Sequence, residues 1–283
     1  MTSTITGIDH VIVGVRDLEA AHRAFENLGF VVSPRGRHIG WATANYCIMF
    51  PRDYVELLGI VDPAQFTNNL DRFLATREGL MGLAYASDDA GAVAEDLRGR
   101  GIAADGPKDL KRNLELPEGT VQPAFKLTHL PMDVSPAAPS FVVQHLNRPM
   151  VWQEQWLAHE NGARGVLSVT GVVADPGEAA IAYAKLFGQA AVSAGDGYVE
   201  IDVGGATLRL IAPGGLSRIY PGLPGIPDHP PPWLSGMRLV VDNLTATAAA
   251  LDARGVSYMR DGEELLRLPP QMACGVVVEF AEG

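Results

Sequence analysis

The sequence predicts an α+β chain of four βαβββ modules, arranged as two paired-module, cleft-bearing half-barrels. Two observations predict it. A phrase of apolar strand followed by helix recurs four times along the 283 residues, and each recurrence is followed by short strand-like runs. A unit with one helix and one open sheet face cannot bury its own core, so the units must pair.

The first unit opens with "GIDHVIVG", a strand rich in Ile and Val, and "RDLEAAHRAFENLGF", a helix with Asp17 as N-cap and Gly29 as stop. The second phrase starts at Gly82, with Asp88 and Gly101 in those roles. The third starts at Leu167 with Asp175 and Gly188, and the fourth at Ser235 with Asp242 and Gly255. The Asp-to-Gly separations are 12, 13, 13 and 13 residues, too regular for accident.

The runs after each helix read as strands. Unit one offers "FVVSPRG", "ANYCIMF" and "DYVELLGI", and unit two "AFKLTHL" and "SFVVQHL". Unit three offers "YVEIDV" and "ATLRLIA", and unit four "ELLRLPP" and "GVVVEF". Residues 148–164, polar and aromatic without alternation, read as a linker between a first pair at 1–147 and a second at 165–283. Residues 104–120, "ADGPKDLKRNLELPEGT", read as a charged loop inside unit two, and 212–233 as a Pro- and Gly-rich irregular stretch.

Composition narrows the function classes. Hydrophobic residues make up 47% and charged residues 19%, an ordinary globular balance. Thirty-three acidic against 22 basic residues give a net charge of −11, which repels phosphate backbones and anionic lipid, so nucleic acid and membrane are not expected partners. Cys47 and Cys274 match no metal or redox spacing and read as two buried thiols in strand-like runs. The N-terminus has no signal-peptide pattern and no apolar run reaches spanning length, so the expected location is cytoplasmic. The "GLPG" and "APGG" stretches lack the strand–loop–helix context of a phosphate loop.

Two residues stand out against their strands. His10 interrupts a β-branched run, and Glu56 lies between Val and Leu in "YVELL". A carboxylate buried there must be paired, protonated or metal-bound. Its structural partners would be Arg35, Arg37 or Arg52.

The repeat, with a histidine early and "YVE" later, resembles the vicinal oxygen chelate superfamily of paired βαβββ modules, which includes glyoxalase I, extradiol dioxygenases and bleomycin-resistance proteins. "IDHVIVGVRDLEAA", "GWATANYCIMFPRDYVELLGI" and "FVVQH…HENGA" look more narrowly like its glyoxalase-like domain family, over about the first 165 residues. The resemblance implies ligands on the first and last strands of the modules, facing a cleft. Counting seven residues back from each helix start gives His10, Met81, Ser168 and Ser235, so unit one alone has a ligand there. The last strands offer Glu56, Gln144 or His145, and Glu279, the last expected to form a salt bridge or face solvent.

The resemblance therefore implies His10, Glu56 and His145 as ligands of a divalent metal (Fe, Mn, Ni or Zn), with Glu56 as ligand, general base or both. Strand parity leaves Gln144 as the alternative to His145, which could instead cap a strand end. His38, Trp41, Asn45, Gln144 and Trp152 are expected at the mouth of the cleft, binding a small organic molecule. The expected function is a metal-dependent lyase, isomerase or dioxygenase acting on an oxygenated substrate. The alternative is a binding or sequestering protein of the bleomycin-resistance type, with no metal. Open sheet edges make a homodimer an expectation as well.

Overall fold

The computed structural model describes residues 5–283 and has the four-module α+β architecture. Unit one runs β1 (Gly7–Gly14), α1 (Leu18–Asn27), β2 (Gly36–His38), β3 (Thr43–Met49) and β4 (Tyr54–Ile60), then a short α2 (Leu70–Thr76). Unit two runs β5 (Gly79–Ala86), α3 (Ala90–Gly99), β6 (Asp105–Leu116), β7 (Gly119–Val121), β8 (Ala124–Leu130) and β9 (Ser140–His145). Unit three runs β10 (Ala163–Val172), α4 (Pro176–Phe187), β11 (Val192–Ala194), β12 (Tyr198–Asp202), β13 (Thr207–Ile211) and α5 (Leu216–Ile219). Unit four runs β14 (Trp233–Val241), α6 (Leu244–Ala253), β15 (Met259–Asp261), β16 (Leu265–Leu268) and β17 (Val277–Glu282).

Local chemistry sets the helix bounds. Asp17 and Asp175 cap α1 and α4 as expected, each carboxylate accepting backbone N–H groups of the first turn. The caps of α3 and α6 fall one residue later than expected, on Asp89 and Asn243, whose side-chain oxygens reach the first-turn amides. Gly29, Gly101, Gly188 and Gly255 leave the helices at φ of 87°, 79°, 91° and 67°, where a side chain would be strained.

The strand order in the first sheet is β2-β3-β4-β1-β5-β9-β8-β6-β7. A further pairing of β2 with β6 joins its ends, so eight strands close into a barrel. The second sheet, β11-β12-β13-β10-β14-β17-β16-β15, repeats the order but stays open. In both, the two central strands are antiparallel and each pairs in parallel with the last strand of its own unit.

Three expectations are corrected here. Residues 104–120 are not a loop: they form β6 and β7, and β6 supplies the strand that closes the barrel. Leu110, Arg112, Leu114 and Leu116 alternate inward along it, but Arg and Lys between the leucines disguise the period. "FVVSPRG" is mostly not a strand, since only Gly36 of it belongs to β2. Cys274 likewise lies in the turn before β17, at φ 52°, whereas Cys47 is buried in β3.

One apolar core runs through both sheets, including Phe25, Leu57, Tyr85, Tyr183 and Phe280. Phe30 of the first pair stacks on Phe280 of the second at 6.2 Å. Burying each such side chain contributes roughly 1.5–3 kcal/mol. Among the described residues no helix is long and apolar enough to cross a membrane.

Candidate functional site

The site begins with an irregularity in β1. Ile8 faces Tyr85 and His10 faces Ala84 across the β1–β5 ladder, leaving Asp9 as an extra residue. Such a bulge turns two successive side chains to the same side. Asp9 Oδ1 thus lies 2.7 Å from His10 Nδ1 and 3.2 Å from His145 Nε2. Burial pushes the Asp9 carboxyl up, but His145 and His10 outweigh it and hold it well below the usual carboxylate range. An ionised carboxylate only accepts, so both ring nitrogens facing it donate. The other ring nitrogen of His10, Nε2, faces Glu56, whose Oε2 is 3.6 Å away. Tyr54 stacks on the His10 ring at 4.4 Å and fixes its plane.

Glu56 is buried in β4, where the ladder sets it opposite Ile12. Its Oε1 accepts a hydrogen bond from the Asn45 amide, and Arg112 Nη1 donates to Asn45 Oδ1 at 2.8 Å. Asn45 therefore stands between the carboxylate and the guanidinium. None of Arg35, Arg37 and Arg52 pairs with Glu56, and Arg35 reaches Glu19 instead, at 3.8 Å. Gly36, opposite Asn45 in the β2–β3 ladder, makes the arrangement possible. A Cβ there would lie 2.1 Å from Asn45 Oδ1 and 2.8 Å from Arg112 Nη1.

These groups surround an inner pocket of about 50 Å³, bordered also by His38 and Phe141. His38 and Phe141 also border a larger, mostly apolar cavity of about 700 Å³, whose walls include Trp41, Phe73, Met81 and Trp233. Burial pulls the His38 imidazole down to about 4, with Glu56 offsetting part of the effect, so it is neutral at neutral pH. A third cavity of about 360 Å³ lies between the sheets and meets Asp9, His145 and Asp53.

The structure brings His10, Glu56, Asn45 and His38 together at the inner pocket, and puts Trp41 on the larger cavity. His145 faces the barrel interior, but its Nε2 is held by Asp9 and its Nδ1 is buried without a partner. Gln144 points the other way: its amide donates to Asp88 O at 2.7 Å and its oxygen accepts from Ala90 N, fastening β9 to the start of α3. Trp152 borders none of these cavities; it packs edge-on against His145 at 4.9 Å and donates to Phe50 O. Arg112, which sequence reasoning missed, was hidden in the supposed loop. His159 is structural: Nδ1 accepts from Val31 N and Nε2 donates to Met49 O, both at 2.9 Å.

With the caps at Asp89 and Asn243, the slot equivalent to His10 is Gly82 in unit two and Gly236 in unit four, not Met81 and Ser235. In unit three it remains Ser168. The ladder partner equivalent to Glu56 is Phe141 in unit two, Arg209 in unit three and Glu279 in unit four. Glu279 is buried and salt-bridged, as one of the two expectations had it, with Arg267 at 2.8 Å and Arg238 at 2.9 Å.

A metal held by His10, Glu56 and His145 together does not fit this arrangement. His10 Nε2 turns to Glu56, whereas His145 Nε2 turns to the Asp9 oxygen that also holds His10 Nδ1, and Gly82 and Phe141 fill the remaining slots. Among the described residues no group of three or more His, Cys, Asp or Glu is placed to hold an ion.

Comparison with known proteins agrees with this architecture. Residues 8–187 match the family described as "Glyoxalase-like domain". A hypothetical protein from Staphylococcus aureus superposes with a TM-score of 0.69 at 11% identity, covering 98% of this chain and 99% of the other. A mutant of 4-hydroxymandelate synthase from Streptomyces coelicolor superposes at 0.59 and 12% identity, covering 98% and 92%. A xylose isomerase-like TIM barrel/4-hydroxyphenylpyruvate dioxygenase fusion protein superposes at 0.60 and 12% identity over 100% of this chain, which spans 49% of the fusion. No curated protein matches the sequence.

Proposed function

The chain belongs to the glyoxalase-like domain family, and from that premise we propose that it is an enzyme of lyase or isomerase type, moving a proton at the carbon next to a carbonyl or hydroxyl group of a small organic molecule. The observation that carries this reading is the state of Glu56. Glu279, the buried carboxylate at the matching position of unit four, is matched by two arginines. Among the described residues Glu56 has no Lys or Arg within ion-pair distance and faces instead the imidazole of His10. A carboxylate and an imidazole nitrogen 3.6 Å apart are groups that can take up and return a proton.

In this reading Glu56 takes the proton and His10, oriented by Asp9, binds or returns it. The Asn45 amide keeps the carboxylate aimed into the pocket, and Arg112 behind it favours the negative charge that develops on the substrate oxygen. A pocket of about 50 Å³ holds the oxygenated end of a molecule and little more, so the rest occupies the neighbouring cavity. The apolar character of that cavity also supports the second reading, binding without turnover.

The test is hydrogen–deuterium exchange by proton NMR, with 2-hydroxyaldehydes, 2-hydroxyketones and 2-oxo acids incubated in D₂O. Exchange at one α-carbon with wild type, lost in Glu56→Gln, supports the enzyme. Binding of these compounds without exchange transfers the argument to the second reading, and exchange that survives Glu56→Gln removes Glu56 from the chemistry.

A further inference from the structure

We infer that the large cavity binds an anionic amphiphile, with Arg77 receiving its acidic group. No aspartate or glutamate borders this cavity, in a chain whose net charge is −11. Its permanent cation is Arg77, half-buried just past the end of α2. Its guanidinium lies 4.5 Å from the ring centroid of Phe73 and 5.8 Å from that of Trp233, and has no carboxylate within ion-pair distance among the described residues. Burial alone acts on its basicity, pulling it down to about 10, which leaves it charged at neutral pH.

Trp233 walls the cavity beside Arg77 and is itself 2% exposed. A charged donor with no carboxylate partner among the described residues thus borders an apolar cavity, and its complement is a carboxylate, sulfonate or phosphate monoester oxygen. The rest of the wall, with Ile12, Leu58, Leu70 and Leu130, suits a hydrocarbon or aromatic skeleton.

Arg77 and Phe73 come from the first pair of units, whereas Trp233 and its edge-on neighbour His229, 5.0 Å away, come from the second. Units three and four therefore complete a ligand cavity. This assignment rests on the catalytic reading only for the far end of the ligand, which would reach past His38 to Glu56.

The experiment is isothermal titration of the full chain with octanoate, octanesulfonate, octyl phosphate, 1-octanol and octyltrimethylammonium. At least one anion is expected to bind about tenfold or more tighter than the alcohol, and the cation weakest. Arg77→Met should abolish the preference while the alcohol binds as before, which shows the cavity intact, and Arg77→Lys should keep part of it. The strongest anion identifies the acidic group. Equal binding of anion and alcohol to wild type, no binding by any probe, or a preference that survives Arg77→Met overturns the assignment. Absence of α-proton exchange in D₂O would sink the catalytic reading and leave this selectivity untouched.

Discussion

Glu56 and Glu279 hold the same register position in their modules, Glu56 opposite Ile12 and Glu279 opposite Arg238, yet their surroundings are opposite in kind. Glu279 is neutralised by Arg238 and Arg267, and Arg267 is itself 2% exposed. Glu56 meets an amide and an imidazole. Replacing each by Gln should separate structure from function. Glu279→Gln leaves the buried Arg267 and the half-buried Arg238 short of a counter-charge and should cost about 3–5 kcal/mol in urea unfolding. Glu56→Gln keeps the hydrogen-bond geometry, should change stability by less than ~1 kcal/mol, and should lower turnover by about 10²–10⁴. Equal destabilisation by both would make Glu56 a structural residue.

Gly36 controls the approach of Arg112 to Asn45. Gly36→Ala should displace that side-chain pair, cost ~1–3 kcal/mol and weaken ligand binding. Gly99→Ala is the control, because a Cβ in α3 there meets nothing within 4 Å. It should stabilise by ~0.4–1 kcal/mol. A Gly36→Ala protein with unchanged melting temperature and binding would show that the pair has slack.

Asp53 is buried between the sheets, its Oδ1 accepting from Val166 N at 2.9 Å. Burial raises its carboxyl from 3.8 to about 7, against the opposing effects of that hydrogen bond and Arg52. The folded chain therefore keeps a proton that the unfolded chain has released, so the contribution of Asp53 to stability is fullest below pH 3.8 and is lost as pH rises through about 7. The whole window corresponds to roughly 4 kcal/mol as an upper figure. Asp53→Asn should flatten this dependence and be the more stable protein at pH 8, with a smaller gain at pH 5. Unfolding titrations at both values check it, and a parallel pH response in the variant would assign the effect elsewhere.

The metal question yields to stoichiometry. Among the described residues only His10 and Glu56 converge as donors, so untagged protein reconstituted with Fe, Mn, Ni or Zn and passed through gel filtration should retain less than one ion per chain by elemental analysis. Near-stoichiometric metal, lost in both His10→Ala and His145→Ala, would restore the three-ligand set.

The four modules were legible because helix caps and glycine stops are local signals, and one-residue errors at Asp88 and Asp242 did not disturb them. Those same errors moved two slots, from Gly82 to Met81 and from Gly236 to Ser235. His10 and Glu56 were legible as polar residues in apolar strands. Arg112 was not, because an inward arginine between Lys111 and Asn113 looks like solvent-facing charge. The Asp9 bulge was also invisible, since it shows only in the pairing with β5. Gln144 and His145 could not be told apart without the ladder that sets Phe141 level with His10.

The barrel closes through β2, a strand of three residues, and this has a dynamic consequence. A ring opens first at its shortest ladder, because the fewest hydrogen bonds must break together there. The two shortest ladders of the ring both belong to β2, two residue pairs to β3 and three to β6, so Gly36 and His38 lie between Asn45 on one side and Arg112 on the other. Fluctuation at this seam would admit water directly to the inner pocket, and amide exchange should therefore be faster at β2 than at β1 or β5. The part of the barrel that breathes most readily is the part that holds the polar site.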